Sequence, residues 1–169
     1  MNRRMIAFVL GRVLLCEAVL MLPSLLVGLV YREDSLSLFL PPMVLLLAVG
    51  VALGISKPKN TEIYARDGFF VVAAAWVLMS RAGAIPFYLC GKFPTVWDCI
   101  FEMVSGFTTT GASVLPAVEV LPKCILFWRS FSHWVGGMGV LVFVLAIVPL
   151  SEDRSLHLMR AEVPGPVVG

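Results

Sequence analysis

Pro94-Thr-Val-Trp-Asp-Cys-Ile-Phe-Glu-Met-Val-Ser-Gly-Phe-Thr-Thr-Thr-Gly-Ala-Ser113 is the stretch on which the reading turns. Its first half predicts a short helix. Thr95 is placed to cap it, with Asp98 three residues on, where a capping box puts an acid. Val96, Ile100, Met103, Val104 and Phe107 recur at helical spacing. The helix is expected to fail at Gly106. Three consecutive threonines, Thr108 to Thr110, and then Gly111 favour extended backbone over helix.

What surrounds this stretch sets its solvent. The 169 residues are 59% hydrophobic and 14% charged, with a mean hydropathy of +0.93. Soluble domains carry about a quarter charged residues, and a domain this small cannot hide so much apolar surface. Four apolar segments stand out: Met5–Val30, Leu36–Ile55, Gly68–Leu89 and Cys124–Leu150. Ser35 to Ser56 contains no ionisable side chain and suffices to cross about 30 Å of hydrocarbon. Arg3 and Arg4 precede the first segment as they would a signal peptide. That segment is longer than a typical apolar signal core and no small-x-small site follows, so an uncleaved span is expected.

Thr95–Ser113 is too short and too polar to cross and return, so it is expected to enter the membrane and leave on the same side. With four alternating spans, both termini and the loop Lys57–Asp67 share the other side. They carry Arg3, Arg4, Lys57, Lys59, Arg66, Arg154 and Arg160, against Arg32, Lys92 and Lys123 opposite. The positive-inside bias makes both termini cytoplasmic and opens the Thr95–Ser113 segment outward.

Extended backbone at membrane depth survives only where it is buried or faces water or ions. Carbonyls released from a helix can replace the hydration shell of a dehydrated cation, as the TVGYG filter of potassium channels does. Thr109-Thr110-Gly111-Ala112-Ser113 has the same order of Thr, β-branched residue and Gly. The short helix before it would point its negative dipole end at the ion. The alternative is a re-entrant turn that merely joins two helices. Placement between two full spans favours the ion-binding reading.

The wider text carries a resemblance. Phe101–Ala112 (FEMVSGFTTTGA), Leu126–Ser130 (LFWRS) and Trp134–Gly139 (WVGGMG) together resemble the first pore repeat of the TrkH family. These are the membrane subunits of bacterial Trk potassium uptake systems, in the Trk/Ktr/HKT superfamily. Ala82–Phe87 resembles the end of the helix before the pore loop, and Leu158–Pro166 the linker into a second repeat. The resemblance implies an all-α polytopic membrane protein: two N-terminal helices and loop (1–67), one helix–pore loop–helix repeat (68–150) and a cytoplasmic linker (151–169). It implies potassium uptake, with symport among the family's modes, through a pore for which this chain supplies one loop of four. A fragment or truncated product of a longer chain is expected. By resemblance, Thr109, Thr110, Gly111 and Ala112 form the potassium-binding filter, with the Thr109 and Thr110 carbonyls as metal ligands. Also implied are no cofactor beyond the transported ion, a TrkA-like cytosolic nucleotide-binding partner, a homodimer at full length, and the bacterial inner membrane.

Other features have blander readings. Cys16, Cys90, Cys99 and Cys124 lack metal or redox spacing, and a charge of +2 without a basic cluster gives no reason to invoke nucleic acid. A polytopic membrane enzyme would need converging groups near one face; Asp98, Glu102, Glu119 and Lys123 are the candidates, with Glu102 read instead as a brace for its helix or a tuner of the cation field. An assembly role alone is a further alternative. Arg12 is expected to snorkel or to pair with Glu17. Arg81 is expected to face the protein interior or an outer vestibule. His133 is read as a packing or hydrogen-bonding residue. Gly136, Gly137 and Gly139 are read as close helix contacts, with a gating hinge as the alternative.

Overall fold

A computed structural model describes the backbone of residues 3–54 and 65–147, and the side chains of 3–54 and 68–140. The expected linker 151–169 and most of the loop Lys57–Asp67 lie outside the described residues. Within them the chain is helical, in seven α-helices and one short 3-10 turn at Val118–Val120.

The first apolar segment is α1 (Arg3–Leu20) followed directly by α2 (Leu22–Val30). Pro23 has no N–H to give, so the ladder loosens there. Met21 keeps helical dihedrals, and the bonds Met21 N to Glu17 O (3.1 Å) and Leu25 N to Met21 O (3.2 Å) carry the axis across the joint. The pair thus forms one 28-residue span. α3 (Ser35–Gly54) is the second, 20-residue span. α4 (Ala65–Gly83) and α5 (Ile85–Leu89) meet at Ala84, ahead of Pro86, and give the third, Gly68–Leu89. α6 is the short helix Val96–Phe107, and α7 (Lys123–Ile147) has 25 residues, about 37 Å at about 1.5 Å per residue. Among the described residues three spans are long and apolar enough to cross a membrane, and the short helix α6 and the long helix α7 follow them in the expected order.

Glycines set the closest approaches. A Cβ on Gly11 of α1 would stand 2.9 Å from the Gly50 carbonyl oxygen of α3, and one on Gly50 would stand 2.9 Å from the Gly11 oxygen. At the other end, a Cβ on Gly28 would lie 2.2 Å from Ser35 Cβ and 2.9 Å from Cys124 Cβ. The end of α2 and the starts of α3 and α7 therefore converge there. Glu33 ties this junction together: its carboxylate accepts the backbone N–H groups of Lys123 (2.7 Å) and Cys124 (2.9 Å), the first orphan donors of α7.

Trp128 of α7 sits in the middle of the core, fully buried, edge-on to Phe39 at 6.4 Å. Its indole N–H donates to the Gly83 carbonyl at 2.9 Å, at the α4–α5 joint. Phe87, Met103, Phe107 and Met21 complete this interior. The outward faces are apolar too: Leu26, Val30, Leu40, Val44, Val51 and Phe70 are all exposed. In water such a surface would aggregate, and in hydrocarbon it is at home.

At two charged residues the structure favours one of the two expected alternatives: neither Arg12 nor Arg81 turns inward. Arg12 does not pair with Glu17: it lies exposed, its guanidinium carbon 5.2 Å from the Phe8 ring centre. Glu17 points to the opposite, buried side, fully inaccessible and with no hydrogen-bond partner among the described residues. Five positions apart on a helix places them on different faces. Arg81 faces outward rather than inward; it lines an open groove of about 300 Å³ between α4 and α6 with Trp97, Val104 and Thr108.

Candidate functional site

α6 begins as its sequence dictates. Thr95 is extended (φ −134°, ψ 161°), its hydroxyl accepts the Asp98 N–H at 3.2 Å, and Asp98 Oδ2 accepts the Thr95 N–H at 3.0 Å. The capping box is complete. The other end differs from expectation. The helix does not fail at Gly106 but runs to Phe107. Gly106 serves packing instead: a Cβ there would stand 2.1 Å from Ser132 Oγ of α7. Gly136 does the same from the other helix, since a Cβ on it would meet the Phe107 carbonyl oxygen at 1.9 Å. Gly137 and Gly139 have ordinary clearance, 3.7 Å from Thr109 Cγ2 and 3.6 Å from Trp76. The close-contact reading therefore belongs to Gly136 alone.

This packing fixes the depth of the loop. Gly136 lies about 20 Å along α7 from Lys123 at about 1.5 Å per residue. Phe107 touches it there, so α6 descends well into the span before the chain turns back.

The turn closes the C-terminal end of α6 as a left-handed cap. The N–H groups of Thr108, Thr109, Thr110 and Gly111 all point back onto α6, to the oxygens of Val104 (2.8 Å), Gly106 (3.0 Å) and Ser105 (2.9 and 3.4 Å). Thr109 (φ 57°) and Gly111 (φ 76°) are both left-handed. Gly111 adopts this freely, whereas a β-branched threonine does so at a cost typical of functional turns. The carbonyls of the turn fall into two sets, those with a donor inside the chain and those without. Those of Thr109 and Thr110 accept no hydrogen bond among the described residues, while the Thr108 carbonyl accepts the Thr109 hydroxyl at 2.7 Å. All five residues from Thr108 to Ala112 are exposed.

Behind the turn stands a polar frame that sequence reasoning identified only in part. Glu102, buried on α6, forms an ion pair with Arg129 Nε of α7. Its other oxygen accepts the Ser113 hydroxyl (3.0 Å) and the Val114 N–H (3.3 Å). Arg129 reaches on to the Gly111 carbonyl at 3.3 Å, and the Ser105 hydroxyl donates to the Ala112 carbonyl at 2.6 Å. Glu102 is the brace expected of it. Arg129 and Ser105 were not assigned to the site from sequence, although an acid on the short helix, Glu102, and a base within the following apolar segment, Arg129, were a usable signal. His133 is a hydrogen-bonding residue, its Nδ1 2.8 Å from the Arg129 carbonyl. Asp98 is spent on the cap and Glu102 on the frame, so neither is free for the chemistry of an enzyme.

Three membrane-spanning stretches, a short helix closed by an exposed turn and a further long helix define a class: all-α polytopic membrane proteins. Within that class, residues 37–169 match the family model TrkH, "Cation transport protein", and the chain belongs to this family. The chain is 38% identical, over 99% of its length, to the Trk system potassium uptake protein TrkH of Vibrio parahaemolyticus and 37% identical to that of Escherichia coli K12. An uncharacterized cation transporter of Methanocaldococcus jannaschii is 37% identical over 93% of the chain and 33% of its own length. The crystal structure of the potassium transporter TrkH from Vibrio parahaemolyticus superposes with a TM-score of 0.82, over 88% of this chain and 32% of that one. The chain spans about a third of the length of the curated relatives it matches, 35% for the first two.

Proposed function

We propose that this chain supplies one of the four pore loops of a potassium-uptake protein, with Thr109, Thr110, Gly111 and Ala112 as its share of the selectivity filter. The observation that carries the reading is the exposed turn at Thr108–Gly111, with amides tied back to α6 and the Thr109 and Thr110 carbonyls without a hydrogen bond among the described residues. Such carbonyls can strip and replace the hydration shell of a dehydrated cation, and α6 aims its negative end at the same point. One loop cannot surround an ion, so three further loops are required. The reading divides the chain into two leading helices (1–67), one repeat (68–150) and a linker (151–169). It sets both termini in the cytoplasm of a bacterial inner membrane, and includes cation-coupled symport, a homodimer and a TrkA-like nucleotide-binding partner. Relatives named as Trk potassium uptake proteins support the choice of ion.

The test is rubidium uptake with sodium competition, for the full-length protein in cells lacking their own potassium uptake. Gly111→Ala puts a side chain on a left-handed residue and should lower the preference for rubidium over sodium more than it lowers the amount inserted. Thr110→Val keeps the β-branched shape and the carbonyl, and should be far milder. Wild-type selectivity in Gly111→Ala combined with abolished uptake in Thr110→Val would overturn the carbonyl assignment in favour of hydroxyl chemistry.

A further inference from the structure

Arg129 and Glu102 are more than a brace for a helix: we infer that they form a positioning strut that sets the ion preference of the loop, and that the strut withdraws the Gly111 carbonyl from the cation. The inference rests on the filter reading above and narrows it. Among the four carbonyls of Thr109 to Ala112, two already have donors within the chain. Arg129 Nη2 serves Gly111 at 3.3 Å, and Ser105 Oγ serves Ala112 at 2.6 Å. An oxygen polarised by a guanidinium is a poor ligand for a cation, because the donor's positive charge repels the ion as it approaches. Thr109 and Thr110 keep theirs unclaimed, so the ligands from this loop are those two.

The geometry explains why the pair has to be an arginine and a glutamate. Guanidinium is a rigid fork, with its donors held in fixed relative directions. Here one arm, Nε, is held by Glu102, and the other, Nη2, by Gly111. Glu102 in turn has two oxygens, one on Arg129 and the other on Ser113 and Val114 beyond the loop. The strut thus grips the exit side of the loop at two points, Gly111 and Ser113–Val114, and anchors it to α7. Glu102 is wholly inaccessible and the Arg129 side chain 16% accessible. At that depth water competes weakly for either partner, and breaking the pair strands a buried charge. A loop held this way cannot relax around a smaller ion.

The decisive variant is Arg129→Lys in the full-length protein, assayed by rubidium uptake with sodium competition beside Glu102→Gln and Ser105→Ala. Lysine keeps the charge and reaches Glu102, but a single ammonium cannot serve both Glu102 and Gly111 in fixed directions. It should insert at the wild-type level and lose about tenfold in rubidium-over-sodium preference, the scale of coupling between residues in direct contact. Ser105→Ala, which touches no charge, should lower the preference in the same direction by a smaller factor. Wild-type selectivity in inserted Arg129→Lys and Ser105→Ala overturns the inference and leaves the pair a purely structural contact. So does a loss of all three variants from the membrane with no selectivity change in the residual uptake. Gly111→Ala separates this from failure of the filter reading. If it alters selectivity while the strut variants do not, only the strut is wrong; if it too is silent, the loop is not the filter.

Discussion

Gly136 and Phe107 show how one missing methyl group positions the loop. The Phe107 carbonyl oxygen lies where the Gly136 Cβ would be, at 1.9 Å, and its carbonyl carbon would be 2.6 Å away. Neither atom belongs to a flexible side chain, so an added methyl can be accommodated only by moving α6 off α7. Thr108 follows Phe107 directly, and the whole turn would move with it. Gly136→Ala should therefore destabilise the full-length protein by about 2 kcal/mol or more, within the usual range for overpacking. Gly137→Ala and Gly139→Ala add a methyl in ordinary contact and remove a helix-interior glycine, so they should be neutral or slightly stabilising. Thermal unfolding of the purified proteins in detergent decides it. Equal midpoints for all three variants would show that the helices do not meet at Gly136 as closely as this.

At the scale of elements, legibility was uneven for a physical reason. Spans are written in composition, and a capping box in a four-residue spacing, so both could be read from sequence. The buried face of α6 could not. Of the apolar residues at helical spacing, Met103 and Phe107 are buried, yet Val96 is 50% and Val104 38% accessible. The side turned inward also carries Cys99, Glu102, Ser105 and Gly106. In a bilayer the outside is as apolar as the core, so hydrophobic spacing no longer tells inside from outside. Glu102 meets Arg129 across 27 residues, and Glu33 meets Lys123 across 90, distances at which no local pattern exists.

The Glu33 contact makes α7 docking pH-dependent. Burial pushes the Glu33 carboxyl up, but the N–H groups of Cys124 and Lys123, with the Lys123 charge, outweigh it and hold it below its ordinary value. A group depressed on folding contributes stability above its unfolded value, about 4.3 for a glutamate, and loses it as pH falls through the folded one. Glu33→Gln should therefore melt below wild type at pH 7, and the gap should close as the pH is lowered past about 4. A gap that stays constant down to pH 3 would mean that the contact does not depend on the carboxylate charge.

For the molecule as a whole, the two ends of the bundle are distinguishable without reference to any membrane. One end gathers the close of α2 and the starts of α3 and α7, stitched by Glu33. The other holds the start of α1 and the end of α3, where Gly11 meets Gly50 and Gly54. The structure fixes which residues share an end, and the charge bias assigns each end a side. Under the proposed orientation the positive-inside bias puts the end that includes Arg3 and Arg4 in the cytoplasm. Single cysteines in an otherwise cysteine-free full-length protein test both statements together. Glu119, exposed in the segment that climbs from the turn to α7, should as Glu119→Cys react with a membrane-impermeant maleimide in intact cells. Arg3→Cys should react only after the cells are opened. If both react from outside, the pairing of ends fails. If the pattern is reversed, the bundle stands but its orientation flips, and the turn would then present its carbonyls to the cytoplasm, a geometry that would take ions from the wrong side for uptake.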